Sequence, residues 1–178
     1  MTEDIKEVIL TEDKIGNMTS KIGEKISNDY KGKDLVLIGI LKGSVMFMCD
    51  LMKKITIPCS IDFMVVSSYG NATESTGKVK ILKDIDFSIE GKDILIVEDI
   101  IDSGITLSYV KEYLYLKKPR SLEIVTLLNK PERRKVNLQP KYMGFNIPDA
   151  FLVGYGLDFA EKYRNLPYIG VLKEEVYK

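Results

Sequence analysis

Residues 93–107, DILIVEDIIDSGITL, contain the densest set of side chains that could do chemistry. An apolar stretch leads to a carboxylate pair, a short turn and the predicted start of a helix; the polar and loop positions are Glu98, Asp99, Asp102, Ser103, Gly104, Ile105 and Thr106. Ligands of open α/β sheets bind beyond the carboxyl ends of strands, where this turn would lie. Hydroxyls and unhindered N–H groups at a helix N-terminus are typical of a phosphate site. The carboxylate pair would suit ribose hydroxyls or a metal ion.

Each of these features also has a purely structural interpretation when taken alone. Glu98 and Asp99 could form a solvated strand end, and Ser103 could be a simple helix cap. The joint pattern is far more specific: four apolar residues, Glu-Asp, two apolar residues, then Asp-Ser-Gly-x-Thr. It resembles the phosphoribosyl pyrophosphate signature of the type I phosphoribosyltransferase family, and that of its hypoxanthine-guanine branch most closely.

The resemblance implies a role for each residue of this signature. Asp102 would exchange a proton with the five-membered ring of a purine, as a general acid or base. Its acidic side chain favours 6-oxopurines, because the orotate, adenine and uracil branches generally carry a non-acidic residue there. Phosphoribosyl pyrophosphate would be bound by Glu98, Asp99, Ser103, Gly104, Ile105 and Thr106. Ile105 replaces a basic or polar residue of some relatives, so phosphate binding would depend on backbone and hydroxyl donors.

Two further segments are similar to substrate loops of the family. Residues 41–44, LKGS, resemble the pyrophosphate loop, which implies that Lys42, Gly43 and Ser44 bind pyrophosphate and that the Leu41–Lys42 peptide could be cis. Ser68 and Tyr69 match the start of the mobile catalytic loop. Residues 69–77, YGNATESTG, have no apolar period and predict a loop between two strands that could close as a lid.

The carboxyl-terminal third is similar to the family's base-binding segments. In residues 129–134, NKPERR, the resemblance makes Lys130 the residue that recognises the exocyclic oxygen of the base. Without the resemblance, Lys130 would be interpreted as a surface lysine before a turn.

Residues 148–164, PDAFLVGYGLDFAEKYR, match the base-binding and metal segment. The match implies that Phe151 stacks on the purine, Leu152 offers backbone groups to its edge, Asp158 meets a magnesium ion and Arg164 reaches pyrophosphate. Taken alone, Phe151 is more often a core aromatic and Asp158 a loop carboxylate. The expected Mg²⁺ ligands are Glu98, Asp99 and Asp158. Leu152 replaces the valine of some relatives, which leaves the preferred base open.

The amino-acid composition excludes several kinds of catalytic site and argues against several kinds of partner. The chain has 178 residues, equal numbers of acidic and basic side chains, and no histidine. Histidine-dependent triads and His-ligated zinc are therefore excluded, and zero net charge gives no reason to expect nucleic acid or a membrane as a partner. Cys49 and Cys59 form no C-x-x-C motif, so we expect reduced thiols in a cytoplasmic protein. No apolar run approaches the ~20 residues that span a bilayer.

The elements that must position these residues are predicted from hydrophobic periodicity. Residues 11–30 predict a helix capped by Thr11, and residues 45–55 and the spacing of Leu107, Val110 and Leu114 predict two more. Continuous apolar runs at 35–40, 94–97 and 124–128 are typical of buried parallel strands. Further strands are expected at 61–67, 79–82, 142–145, 151–153 and 168–172.

These elements predict one α/β domain over residues 1–178, with a central, mostly parallel sheet flanked by helices and a Rossmann-like core. The resemblance adds a small hood formed by the chain ends. It implies purine salvage, in which phosphoribosyl pyrophosphate and hypoxanthine or guanine give a nucleotide, by a homodimer or homotetramer. A xanthine-preferring or pyrimidine enzyme is the alternative, followed by a non-catalytic regulator that contacts nucleic acid through the basic residues 130–135.

Overall fold

The computed structural model describes residues 1–69 and 78–178. The strands are β1 Ile5–Leu10, β2 Leu35–Leu41, β3 Cys59–Tyr69, β4 Lys78–Lys83, β5 Asp93–Ile101, β6 Ser121–Asn129, β7 Tyr142–Asn146, β8 Leu152–Val153 and β9 Ile169–Leu172. The helices are α1 Glu12–Asp29, α2 Val45–Met52, α3 Ile105–Tyr115 and α4 Glu174–Tyr177, with short 3-10 helices at Thr2–Asp4 and Pro131–Arg133. Beyond Tyr69, the predicted loop lies outside the described residues.

Six strands form the central sheet in the order β4-β3-β2-β5-β6-β7. Every neighbouring pair is parallel except β3 and β4, which are antiparallel. Helix α2 connects β2 to β3 and α3 connects β5 to β6, whereas the third parallel connection, from β6 to β7, contains only the 3-10 helix Pro131–Arg133. The predicted α/β domain with a mostly parallel sheet is confirmed.

Both faces of the central sheet are covered, because side chains alternate between the faces along each strand. On one face, Leu35 and Leu37 of β2 join a core that includes Ile22 and Ile26 of α1 and Phe47 of α2. On the other face, the intervening Val36 and Ile38 pack in a core with Leu107, Val110 and Leu114 of α3. Thr11 caps α1 as predicted, its side chain accepting a hydrogen bond from Lys14 N at 3.3 Å.

A second, three-stranded antiparallel sheet has the order β1-β9-β8 and joins the two ends of the chain. It is the predicted hood. Its own small core contains Val153, Tyr163, Leu166 and Leu172. Among residues 1–69 and 78–178, no helix combines the length and the hydropathy that a bilayer-spanning segment needs.

Several element boundaries differ from the prediction. Helix α2 ends at Met52 rather than residue 55, because Thr56 N donates to Ser27 Oγ of α1 and the chain then turns extended before Pro58. Strand β5 continues to Ile101, so Glu98 and Asp99 lie within the strand and not after it. Phe151 precedes β8 instead of belonging to it. Strand β1 and helix α4 were not predicted.

A crevice arises at the carboxyl end of the sheet, where strands β2 and β5 separate. They are paired from Leu35–Asp93 to Gly39–Val97, whereas β5 remains paired with β6 as far as Ile101–Asn129. The direction of winding also reverses between β2 and β5, since β3 lies on one side and β6 on the other. Such a reversal opens a crevice at the carboxyl ends of the strands.

Candidate functional site

A cleft of about 290 Å³ occupies this crevice. One wall is the end of β2 and the following turn, including Leu41 and Gly43; the other is the end of β5 with the loop that leads into α3. The predicted site residues that line it are Gly43, Glu98, Asp99, Asp102, Ser103, Gly104 and Thr106. The structure therefore brings the residues of the two predicted phosphate loops together.

Gly43 fits between two elements that leave no room for a side chain. A Cβ at this position would lie 1.7 Å from Asp99 Oδ2, and a Cβ on Gly156 would lie 2.0 Å from Gly43 O. The Leu41–Lys42 peptide that precedes it is cis. The backbone of the turn is thus in direct contact with the carboxylate pair on one side and with residues 154–158 on the other.

The loop between β5 and α3 holds its shape through backbone geometry. Gly104 has φ +80°, a conformation that side-chain-bearing residues rarely adopt, and it immediately precedes the first turn of α3. Ser103 Oγ accepts a hydrogen bond from Ile105 N at 3.4 Å. The open N-terminus of an 11-residue helix therefore points its N–H groups toward the cleft end of the loop.

Four residues of the predicted phosphate set do not line this cleft: Lys42, Arg164, Ser44 and Ile105. Ser44 is fully buried, and its Oγ donates to Ile40 O at 2.6 Å, so its hydroxyl stabilises the turn. Ile105 carries an apolar side chain on the first turn of α3, and only its backbone N–H bears on the loop. Any contact that Ser44 and Ile105 make with phosphate would have to come from the backbone.

Glu98 and Asp99 form a partly buried carboxylate pair at the end of β5. Burial, followed by the charge of Asp99, raises the pKa of Glu98 well above its usual range, and burial also raises the pKa of Asp99. Asp99 N donates to Glu98 Oε1 at 3.3 Å, and Ile100 N donates to Asp99 Oδ1 at 2.7 Å. Two adjacent carboxylates that resist full ionisation fit a divalent cation, whose charge would favour the ionised forms.

Within the part of the chain that the structure describes, no three acidic, histidine or cysteine side chains are arranged to hold a metal ion together. Asp158, the third predicted ligand, pairs instead with Arg164, with Oδ1 2.8 Å from Nη2. Mg²⁺ commonly takes one or two protein carboxylates and completes its coordination with phosphate oxygens and water. The carboxylate pair fits that pattern, whereas the three predicted ligands are not gathered in one cluster.

A second cleft of about 550 Å³ adjoins the first, and Ile100 and Asp102 line both. Its walls include the four predicted base-binding residues Lys130, Phe151, Leu152 and Asp158. Asp102 therefore lies between a cleft with phosphate-loop geometry and a cleft with an aromatic ring and a buried lysine.

Lys130 is 7% exposed, which contradicts its interpretation as a surface lysine. Its Nζ donates to Ala150 O at 2.8 Å and to Asp149 Oδ1 at 3.2 Å. These acceptors orient the ammonium group within the second cleft, which it lines. A buried ammonium with donor capacity to spare can recognise a carbonyl oxygen on a ligand.

Arg133 and Asp149 were not predicted as site residues, yet both line the second cleft. Arg133 Nε lies 2.8 Å from Asp102 Oδ1, and Arg133 Nη1 donates to Asp149 Oδ1 at 3.2 Å. The first contact is an ion pair without hydrogen-bond alignment, so Asp102 Oδ1 has no hydrogen-bond partner in residues 1–69 and 78–178. A chain of alternating charges thus connects Asp102 to Lys130 around the cleft wall.

Arg134 contacts the loop between β5 and α3 on the side away from the cleft lining. Its guanidinium donates to Asp102 O at 3.1 Å and also to Asn129 Oδ1, and its side chain fills the space beside Gly104. Burial lowers the pKa of Arg134. The basic cluster that suggested nucleic acid thus directs two of its arginines into internal contacts. Nothing in the spacing of these residues distinguishes them from surface arginines, and this is why they were missed.

Lys42 and Arg164, the two cations of the predicted phosphate set, are paired with nearby carboxylates. Lys42 Nζ lies 2.9 Å from Glu161 Oε2, and both side chains are exposed. Arg164 donates to Gly156 O at 2.7 Å besides its pair with Asp158. The side chains of Ser68 and Tyr69, the start of the predicted mobile loop, lie outside the described residues.

Comparisons with known proteins agree with this geometry. The model of the phosphoribosyl transferase domain family matches residues 3–160. A hypoxanthine-guanine phosphoribosyltransferase of Staphylococcus aureus is 59% identical over 99% of both chains, and one of Staphylococcus epidermidis is 58% identical over the same shares. The crystal structure of a Staphylococcus aureus hypoxanthine phosphoribosyltransferase superposes with a TM-score of 0.98 at 58% identity, covering 100% of this chain and 97% of the other. The chain belongs to the phosphoribosyltransferase family.

Proposed function

We propose that the protein transfers the phosphoribosyl group of phosphoribosyl pyrophosphate to hypoxanthine or guanine, giving IMP or GMP and pyrophosphate in purine salvage. The observation that carries the proposal is the pair of adjoining clefts that share Ile100 and Asp102. A nucleotide-forming enzyme needs a phosphate-sugar site and a base site that meet at the bond to be made. The similarity to hypoxanthine-guanine phosphoribosyltransferases supports the same assignment.

The first cleft would bind phosphoribosyl pyrophosphate. Backbone N–H groups and hydroxyls of Ser103, Gly104 and Thr106 suit the 5′-phosphate at the start of α3. Glu98 and Asp99 would accept hydrogen bonds from the ribose hydroxyls. Lys42, Gly43 and Arg164 suit the pyrophosphate, and Lys42 and Arg164 would exchange their present carboxylate partners for its oxygens.

The second cleft would bind the base. The Phe151 ring offers a stacking surface, and Leu152 lines the cleft where its backbone can meet the edge of a purine. Lys130 would donate to the exocyclic oxygen of a 6-oxopurine. Because Asp149 and Ala150 already orient its Nζ, this donor is in place before the base arrives.

Asp102 is the proposed general base. As the purine nitrogen forms its bond to the sugar carbon, the bond from that carbon to pyrophosphate breaks and the five-membered ring of the base gives up a proton, which the Asp102 carboxylate accepts. Its position between the two clefts supports this role, because the two reactants would meet there. No covalent intermediate with the enzyme is needed, so positioning and electrostatics would supply most of the acceleration.

Mg²⁺ is the proposed metal, and it would neutralise charge on the pyrophosphate leaving group. Glu98 and Asp99 are the residues best suited to hold it, directly or through the ribose, while Asp158 would have to leave Arg164 to take part. We expect the protein to be located in the cytoplasm and to form a homodimer or a homotetramer. Small-molecule substrates, rather than nucleic acid or membrane, remain the expected partners.

The test is nucleotide formation from phosphoribosyl pyrophosphate with hypoxanthine, guanine, xanthine, adenine and uracil in turn. Each reaction is run with Mg²⁺ and with EDTA. We expect IMP and GMP to form only with the metal. Turnover of xanthine alone would favour the xanthine-preferring alternative, and turnover of uracil or adenine alone would overturn the 6-oxopurine assignment.

A further inference from the structure

We propose that Tyr177, the penultimate residue of the chain, is a positioning residue for the base: it holds the Phe151 ring in the orientation that stacks on a purine. The proposal rests on the proposed function, since it concerns the same base cleft. Phe151 and Tyr177 both line that cleft although 26 positions separate them in the sequence, 177 − 151.

The two rings are stacked on each other. Their centroids are 4.7 Å apart and their planes differ by 21°. The Phe159 ring is nearly perpendicular to that of Phe151, with centroids 5.5 Å apart and an interplanar angle of 88°, and its centroid lies 6.5 Å from that of Tyr177 at an interplanar angle of 68°. Stacked and edge-to-face pairs of this kind restrict ring orientation and add stability beyond the area they bury.

The accessible surface of Phe151 indicates which of its faces is available. Tyr177 stacks on one face of Phe151 and Phe159 lies perpendicular to it, yet Phe151 remains 38% exposed. A ring whose second face was also covered could not expose so much surface. Because Phe151 lines the base cleft, the free face is the one presented to it. Tyr177 therefore backs the ring from the side opposite the proposed base position.

The backbone explains why the end of the chain reaches this position. Leu172 N, at the end of β9, donates to Phe151 O at 2.9 Å, which aligns the residue before β8 with the strand that leads into α4. Lys173 N donates to Asp4 O at 2.9 Å, so the start of α4 is attached to the amino-terminal segment. Val176 and Tyr177 then pack against the small core of the hood.

The aromatic cluster would thus serve binding through the orientation of its rings and not through polar contacts with the base. Phe151 lies outside the strand that follows it, and its side chain would rotate more freely without a backing ring. Each restriction of a side chain before binding reduces the entropy lost on binding. Tyr177 is thus expected to affect the affinity for the base and not the affinity for phosphoribosyl pyrophosphate.

The experiment compares Tyr177→Ala, Tyr177→Phe and the wild type in steady-state assays that vary each substrate separately. We expect Tyr177→Ala to raise KM for hypoxanthine and guanine by roughly 3- to 10-fold, with KM for phosphoribosyl pyrophosphate changed less than twofold. Tyr177→Phe keeps the ring and should restore wild-type values. Tyr115→Ala, at an exposed tyrosine on the far end of α3, is the matched control.

Four outcomes would overturn the proposal. An unchanged KM for the base in Tyr177→Ala would show that backing is unnecessary, and a lowered KM would show that Tyr177 obstructs the base. Equal increases for both substrates would indicate a general structural role, as would a variant that fails to fold while Tyr177→Leu folds with wild-type kinetics. Wild-type protein that forms no nucleotide from any base would instead refute the proposed function itself.

Discussion

The two clefts that meet at Asp102 are built in different ways. The first cleft, the proposed phosphate side, is formed by the ends of β2 and β5, and its shape depends on the close approach of other groups to the backbone at Gly43 and Gly104. The base-side cleft is formed by the segments that follow β6 and β7, and its walls are side chains: a buried lysine, an ion-pair chain and stacked rings.

This difference indicates how each half tolerates change. A phosphate is recognised by a fixed array of N–H groups, so displacement of the backbone removes many contacts together. A base is recognised by a few separate side chains, each of which contributes its own increment of affinity and selectivity. Substitutions on the phosphate side should therefore abolish activity, whereas those on the base side should reduce it in steps and alter which base is used.

Gly43→Ala gives the most severe test of the phosphate side. The new methyl group would overlap Asp99 Oδ2, 1.7 Å from the ideal Cβ, so the turn or the carboxylate pair must move by more than an ångström. We expect kcat/KM for phosphoribosyl pyrophosphate to fall on the order of 1000-fold, because displaced groups lose their aligned geometry. Steady-state kinetics at saturating hypoxanthine measure the effect.

The matched control is Gly16→Ala in α1. A Cβ there meets no atom within 4 Å, and alanine is the better helix former. Gly16→Ala should keep full activity and unfold at a slightly higher temperature. If Gly43→Ala retained more than a tenth of wild-type activity, the phosphate side would not depend on its backbone as described.

Asp102→Asn tests the point where the two clefts meet. The amide keeps the volume of the side chain but cannot accept the proton, so we expect kcat to fall by ~100-fold or more with little change in affinity for phosphoribosyl pyrophosphate. Single-turnover kinetics separate the chemical step from product release. Near-normal turnover would assign the proton transfer to another group.

Lys130→Ala tests the stepwise behaviour of the base side. A charge-assisted hydrogen bond contributes roughly 1.5–3 kcal/mol to binding. Its loss should therefore lower kcat/KM for hypoxanthine and guanine by about 10- to 100-fold. Adenine has an amino donor opposite the Nζ, and the wild type should reject it strongly. The variant should therefore discriminate less against adenine, as measured by the ratio of kcat/KM values.

The contrary result for Lys130 is also clear. Unchanged Michaelis constants for both 6-oxopurines, with unchanged rejection of adenine, would mean that its bonds to Asp149 and Ala150 are purely structural. The buried position would then serve only to connect the end of β6 to the segment before β8.

The smallest effect is expected far from both clefts. Asp93, at the opposite end of β5, accepts hydrogen bonds from Arg120 and Ser121, with Ser121 Oγ at 2.6 Å, and the Arg120 bonds lower the pKa of Asp93. A lowered folded-state pKa means that the carboxylate stabilises the fold fully above its unfolded pKa of about 4. This stabilisation is lost as pH falls through the folded pKa.

Asp93→Asn should therefore lower the free energy of unfolding by ~1–2 kcal/mol at pH 7, an estimate reduced because Arg120 is half-exposed. The difference from wild type should shrink as pH falls below about 4. Urea unfolding at pH 7 and at pH 3.5 measures both. Michaelis constants at pH 7 should be unchanged, and a change in either would extend the phosphate side further along β5 than the cleft geometry indicates.

The central sheet could be predicted from the sequence because its strands are continuous apolar runs, and those of β2, β5 and β6 each matched a buried strand. Strand β1 was missed because its sequence IKEVIL is mostly exposed and lacks a regular alternation; only pairing with β9 makes it a strand. On the site, local motifs identified Asp102 and Lys130. Residues whose role depends on distant partners, such as Arg134 beside Gly104, have no local signal.

The hood also determines the order in which the molecule can be completed during synthesis. Strand β1 is at the edge of its sheet, and among the strands of residues 1–69 and 78–178 it pairs with β9 alone, so it has no strand partner until residues 169–172 have left the ribosome. All six strands of the central sheet precede that point. A nascent chain can therefore assemble the central sheet and the proposed phosphate side before the hood can close, whereas Tyr177 can reach the base cleft only after β9 has been made.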